Sequence, residues 1–144
     1  MSTNDSHAQT GADSADKIGN QQVRRIWLFA PSILLRLEGL VVLAISAIFY
    51  GVEGGNWWLY LLLFLSPDLS MLGYLAGNRI GALCYNVVHT YVLPLALLTA
   101  GLLTKNTLMV QLTLIWLSHI GFDRVQAYGL KYPTAFKDTH FNRL

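Results

Sequence analysis

Leu59-Tyr-Leu-Leu-Leu-Phe-Leu65 and Leu93-Pro-Leu-Ala-Leu-Leu-Thr-Ala-Gly-Leu-Leu103 contain no charged residue, so a helix wound through either is apolar all round. A soluble helical bundle needs a polar face on each helix, and these segments have none to offer. The totals agree. Of 144 residues, 53% are hydrophobic and 12% charged, against about 25% charged in soluble domains. A chain of this length fits one domain, and the imbalance points to lipid as its solvent.

Outward from these runs, the chain divides into four apolar blocks, each near the roughly 20 residues that cross a hydrocarbon core of about 30 Å. The first runs from Pro31, or from as early as Ile26, to Tyr50, and ends at Gly51-Val-Glu-Gly-Gly-Asn56. The second, 57–76, is interrupted by Ser66-Pro67-Asp68 and turns at Gly77-Asn78-Arg79. The third, 80–103, contains Pro94, and the fourth is expected over about 107–130. Proline is tolerated in membrane helices where neighbours satisfy the freed carbonyl, so Pro67 and Pro94 are expected to kink their helices rather than end them. The expected fold class is an all-α polytopic membrane bundle of about four helices over 23–144, with a short cytoplasmic C-terminal segment.

Residues 1–22 are rich in Ser, Asp, Asn, Gln, Gly and Ala. Such a stretch lacks the apolar side chains that would offset the entropy of ordering, which predicts a disordered polar tail. It does not read as a signal peptide. Four crossings put both termini on one side, with Lys17, Arg24, Arg25, Arg79, Lys131, Lys137 and Arg143 there and Lys105 alone opposite. By the excess of basic residues, that side is expected to be cytoplasmic and the protein a multi-pass protein of the inner (plasma) membrane. Tyr50, Trp57, Trp58 and Tyr60 bracket the outer loop, where amphipathic rings settle at headgroup level.

The net charge of +2 is too small for a nucleic-acid footprint, so nucleic acid is not an expected partner. The lipid bilayer is, with a homo-oligomer or a lipid-like substrate as further candidates. Cys84 is the single cysteine and reads as a small apolar residue; no intrachain disulfide or CxxC metal site can form. Gly73-Tyr-Leu-Ala-Gly77, extended by Gly81, is a stripe that allows close backbone approach, read here as packing.

Chemistry is expected from the polar residues inside the spans: Arg36, Glu38, Asp68, Asn86, His89, His119, Asp123 and Arg124. Ionisable groups in a membrane are costly and usually face a bundle interior. Counting from the turns at about 1.5 Å per residue puts Glu38, Asp68, His89, His119 and Asp123 in one layer, within about one helical turn of depth. His119 and Asp123, four apart, share a face, as do Tyr85 and His89; Asn86 lies three before His89. Each histidine thus has a polar neighbour able to fix its tautomer or share a ligand.

His89, His119 and Asp123 are therefore candidate ligands for zinc or a redox iron or manganese ion, with Asp68 or Glu38 as general base for a metal-bound water. Such a site makes a membrane-embedded hydrolase or oxidoreductase. The same layer also suits a proton or ion relay, a bis-histidine haem, or a neutralised network that holds the helices in register. Arg124 can bind phosphate, neutralise a carboxylate or reach the interface, and Arg36 can also reach it. Asp138 and His140 are read either as solvated tail residues or as a segment folded back over the cytoplasmic mouth.

Pro67-Asp-Leu-Ser-Met-Leu-Gly-Tyr74, Tyr85-Asn-Val-Val-His-Thr-Tyr91, His119-Ile-Gly-Phe-Asp-Arg124 and Tyr128-Gly-Leu-Lys-Tyr132 with Lys137-Asp-Thr-His140 resemble the bacterial membrane family catalogued as domain of unknown function 4260. The resemblance covers about Ile26 to Leu144 and implies a polytopic bacterial membrane protein. It brings no assigned activity and no catalytic residue. A fainter likeness, in Asp, Ser and His scattered over short membrane helices, is to membrane-bound metal-dependent hydrolases.

Overall fold

The structure is a computed structural model that describes residues 30–143; the tail expected over 1–22 lies outside them. The chain divides into Met1–Leu34 and Leu35–Leu144. Of the first unit only the opening turn of a helix is described, and the second holds all the other elements. Helix α1 is Pro31–Val52, α2 Trp57–Phe64, α3 Asn78–Val88, α4 Val92–Leu103 and α5 Thr107–Val125, with 3₁₀ helices over Ser66–Ala76 and His140–Arg143. Among the described residues the only strand-like pairing is a single antiparallel bridge, Lys131 to Thr139.

Two caps set helix starts. Asn56 Oδ1 accepts the amides of Trp58 and Leu59, and Asn106 Oδ1 accepts that of Met109, the usual role of Asn at an N-cap. The two prolines do more than kink. α2 stops at Phe64, and from Ser66 the chain continues as an 11-residue 3₁₀ helix, far longer than the three or four residues usual for that form. Residues i and i+3 eclipse in a 3₁₀ helix, which aligns Asp68, Met71 and Tyr74 along one edge.

At Pro94 the consequence is a break, because proline has no N–H to donate and its ring crowds the carbonyl four residues back. The third apolar block is therefore two helices, α3 and α4, separated by His89-Thr90-Tyr91. α5 supplies side chains for the freed backbone: Trp116 Nε1 donates to the Val88 carbonyl at 2.8 Å, and Arg124 NH2 to that of His89 at 3.0 Å. Unsatisfied carbonyls at membrane depth cost several kcal/mol, so a break there needs such partners.

α5 is the enclosed helix. Eleven of its 19 residues are buried, against three of 22 in α1. Pro31–Val52, Trp57–Ala76 and Asn78–Leu103 are each long and apolar enough to cross a membrane. The fourth block is not, because Gln111, Thr113, Ser118, His119, Asp123 and Arg124 interrupt it. A helix shielded by its neighbours has no need of a lipid-compatible surface, which is why composition alone separates it from the other three. It ends at Val125, where Ala127 adopts φ 65° and the Tyr128 amide returns to the Asp123 carbonyl at 2.8 Å.

α1 crosses α5 at two glycines. A Cβ on Gly121 would lie 2.7 Å from the Gly39 carbonyl oxygen and 2.8 Å from the Leu43 nitrogen, and one on Gly39 would lie 2.7 Å from the Gly121 carbonyl oxygen. The stripe at Gly73, Gly77 and Gly81 packs within the chain, with Gly73 against Cys84 and Gly81 against the Tyr74 ring; Gly77, at φ 109°, serves the turn before α3. Tyr50 and Tyr60, expected at headgroup level, point inward instead and form the core with Val110, Leu114 and Ile115. The Tyr50 hydroxyl donates to the Asn56 carbonyl at 2.8 Å, which gives the ring its polar partner without solvent. Trp58 remains 81% exposed, as a residue at the interface should be.

Gly121→Val should therefore separate α1 from α5 and cost about 1–3 kcal/mol or more, the range for overpacking. Leu62→Ala, on an exposed face, should change stability by no more than about 0.5 kcal/mol. Thermal melting in detergent measures both, and an unchanged melting temperature for Gly121→Val would refute the crossing.

Candidate metal centre

Asp68, His89, His119 and Asp123 converge, each presenting one donor atom, with all four within 4.8 Å of one another. His89 stands at the break after α3, Asp68 at the start of the 3₁₀ helix, and His119 and Asp123 one turn apart on α5. The Nε2 atoms of the two histidines are 3.2 Å apart. Asp68 Oδ1 is 3.5 Å from each of them, and Asp123 Oδ2 is 3.5 Å from His89 and 3.9 Å from His119. A tetrahedral ion with bonds of about 2.0–2.1 Å sets its donors about 3.3–3.4 Å apart. An octahedral ion at the same bond length sets adjacent donors at about 2.9–3.0 Å. Four of these five edges lie within about 0.2 Å of the tetrahedral value, the fifth is longer at 3.9 Å, and the two carboxylate oxygens are within 4.8 Å of each other.

The tautomer of His89 is set by its surroundings. Its Nδ1 lies 2.9 Å from the Tyr85 carbonyl, and a carbonyl only accepts, so Nδ1 carries the proton and Nε2 turns a lone pair inward. This is the carbonyl–imidazole arrangement typical of metal-binding histidines. Tyr85 also stacks its ring on that of His89, with centroids 3.7 Å apart, and its hydroxyl donates to Asp123 Oδ2 at 2.9 Å. One tyrosine thus orients two donors. His119 is held differently: its Nδ1 has no hydrogen-bond partner among the described residues, and the ring is fixed by the edge-on contact with Phe64 at 5.5 Å on the buried helix. His89 and His119 are 0% and 1% exposed, while the Asp68 side chain is 36% exposed, making Asp68 the one donor with a way out.

The other residues singled out from the sequence lie elsewhere. Glu38 and Arg36 are exposed on α1, and Glu38 is not brought to the cluster, because it is Gly39 that faces α5. Arg124 is a clamp, buried, with NH1 donating to the Tyr128 carbonyl at 2.8 Å and NH2 to that of His89. Asn86 is a dock for the C-terminal segment: its Oδ1 accepts from the Lys131 amide at 2.7 Å and its Nδ2 donates to the Lys131 carbonyl at 2.8 Å.

His140 Nδ1 accepts from the Leu130 amide at 2.9 Å, so His140 anchors the same segment, folded back against the bundle. Its burial, with the Arg124 charge next, holds its pKa below the usual histidine range. Asp138 pairs with Arg143, whose hydrogen bonds hold the carboxyl below its ordinary range.

Three contributors carry little or no sequence signal as parts of a site. The Tyr85 hydroxyl is legible only as a neighbour of His89 at helical spacing. Trp116 gives no signal, since its carbonyl partner exists only because the helix breaks. Lys131, 7% exposed, lies in a polar segment where burial is not expected. Its Nζ stands 3.5 Å from the Phe136 ring centroid, 4.4 Å from that of Tyr85 and 5.2 Å from that of Tyr74. Burial lowers the pKa of this ammonium, while Asp123 and Asp68 act to raise it.

Arg124→Leu should leave the buried His89 carbonyl unpaired, free the part-buried carbonyl of Tyr128, and cost about 1–3 kcal/mol. Arg124→Lys, lacking the forked geometry that reaches both, should recover less than half of that loss. Thermal melting of the two variants checks this, and full stability of either would show that the clamp is dispensable.

Compared with known families, residues 32–144 match the profile of the family described as Domain of unknown function (DUF4260). Among curated proteins and solved structures, none matches the chain.

Proposed function

The chain belongs to the DUF4260 family, and we propose that it is a multi-pass bacterial inner-membrane protein that binds one zinc ion and uses it for hydrolysis. The observation that carries the reading is the convergence of four donors, two imidazole nitrogens and two carboxylate oxygens, with four of their edges at 3.2–3.5 Å, close to tetrahedral spacing. Nitrogen and oxygen donors in that geometry suit zinc, and the imidazoles weigh against magnesium or calcium. Charge favours it as well, since a divalent cation with two carboxylates and two neutral imidazoles sums to zero, the least costly total in a low-dielectric interior.

His89, His119 and Asp123 are the permanent ligands in this reading. Asp68, partly exposed on its 3₁₀ helix, is the displaceable one and takes the proton of the incoming water. A zinc ion held by these residues would supply a lowered pKa for a bound water and polarisation of the bond to be cleaved. Glu38 has no part in the chemistry. Zinc has no redox role, so the tetrahedral site favours a hydrolase over an oxidoreductase.

The enclosed α5 makes the fourth crossing, and both termini are cytoplasmic. Supporting this, Asn86 and Asn78 bond to the C-terminal segment at the end that carries Arg79, Lys131, Lys137 and Arg143. At the opposite end Gln111 Nε2 donates to the Glu53 carbonyl at 3.0 Å, and Lys105 is the basic residue there.

Protein purified from zinc-replete cells should carry about one equivalent of zinc by elemental analysis. His89→Ala or His119→Ala should reduce it to less than about a tenth without loss of the folded elution profile, and Glu38→Gln should leave it unchanged. Folded wild-type protein without metal would overturn the reading. Proton flux in vesicles abolished by Asp68→Asn would then favour the relay.

A further inference from the structure

A cavity of about 480 Å³ lies between the 3₁₀ helix, α3 and the C-terminal segment, lined by Met71, Tyr85, Phe136, Lys131 and Thr139 among others. Its lining is mostly apolar, but it includes an ammonium without a counter-charge and a hydroxyl without a partner. Lys131 has no carboxylate within salt-bridge distance among the described residues. Three aromatic rings surround its ammonium instead, and two of these, Tyr85 and Phe136, line the cavity too. Ring faces attract a cation but do not neutralise it. Thr139 is 6% exposed, and its hydroxyl has no hydrogen-bond partner among the described residues.

These two residues are directly bridged across the Lys131–Thr139 pair, so their side chains leave the ribbon on one face. An ammonium without a counter-charge, on a residue 7% exposed, beside a buried unpaired hydroxyl, with the exposed Lys137 also lining the cavity, is a constellation for an anion. Phosphate suits it better than a carboxylate, because it brings up to two charges and three acceptor oxygens to two lysines and a hydroxyl. The apolar wall formed by Met71, Phe136 and Tyr85 suits an attached chain.

The cavity also adjoins the metal centre. The 3₁₀ edge carries Asp68 at the cluster, Met71 in the cavity wall and Tyr74 beside the Lys131 ammonium, and Tyr85 touches both Asp123 and Lys131. We infer that this cavity binds a phosphate group, with Lys131 as its counter-charge and Thr139 as its hydrogen-bond donor, and so names phosphorylated amphiphiles as the substrate class of the neighbouring site. The inference rests on the metal reading in one respect: two bare carboxylates would repel the anion, whereas a metal-neutralised cluster does not.

The test uses the full chain in zinc-containing detergent solution, with metal content measured on every sample. Inorganic phosphate, a short-chain phosphatidic acid and the matching phosphatidylcholine are titrated by calorimetry. Wild-type protein should bind one phosphatidic acid. Lys131→Met should weaken that binding by about tenfold or more, the loss expected for a charge-assisted contact, with zinc content unchanged. Lys131→Arg should retain it within about threefold and Thr139→Val should lose about three- to tenfold, while Lys105→Met, at the other end of the bundle, should have no effect.

Lysine-dependent binding that is tighter for phosphatidic acid than for inorganic phosphate identifies a lipid headgroup, and equal binding identifies the free ion; either supports the phosphate site. Binding of neither by the zinc-loaded wild type, equal binding of phosphatidylcholine, or full affinity in Lys131→Met would overturn it. Absence of zinc from the wild type would instead count against the metal reading, and the two failures are therefore distinguishable.

Discussion

A backbone carbonyl released inside a membrane must find a donor, and much of the rest of this structure depends on how that is done at the break before Pro94. The carbonyls of Val88 and His89 accept from Trp116 and Arg124, both on α5, so the break is tolerated only while α5 lies alongside it. Because the break is pinned, His89 is pinned. Its Nε2 meets the Nε2 of His119 from the same helix that supplies the clamps. The interaction that repairs the helix and the geometry that assembles the donors are one arrangement.

Enclosure of α5 is the second constraint. Gly39 and Gly121 bring α1 against it at backbone distance, while the exposed Leu, Ile, Val, Phe and Trp side chains are carried mainly by α1 to α4. A helix so shielded can hold His119, Asp123 and Arg124 with exposures of 1%, 6% and 8%. The buried Asp123, with Asp68 beside the same histidines, requires compensation, and the guanidinium of Arg124 is already engaged by carbonyls. In the proposed reading a divalent ion would supply that compensation, at the point where the four donors converge.

Much of this is legible in the sequence, for reasons that can be named. Apolar blocks separated by Gly and Asn fix where helices turn, and counting residues from each turn fixes depth. His89, His119, Asp68 and Asp123, predicted at one level, do meet. Counting does not fix rotation, and adjacent residues differ by about 100° around a helix. Glu38 lies at a depth that counting assigns to the layer, but Gly39 next to it is the residue that faces α5. The stripe at Gly73, by contrast, shows in its spacing, whereas Gly39 and Gly121 are single glycines on different helices and form a pair only in space. The fates of Pro67 and Pro94 depend on partners across the bundle, and the burial of Lys131 on a segment that folds back, so neither can be derived from local pattern.

The central claim is that His89, His119, Asp68 and Asp123 hold one tetrahedral metal ion, and X-ray absorption at the zinc edge of the metal-loaded protein tests it most directly. The spectrum should show a first shell of four nitrogen or oxygen scatterers at about 2.0–2.1 Å, with the outer-shell signature of two imidazoles that falls to one in His119→Ala. A six-oxygen shell, or a spectrum without imidazole scattering, would contradict it.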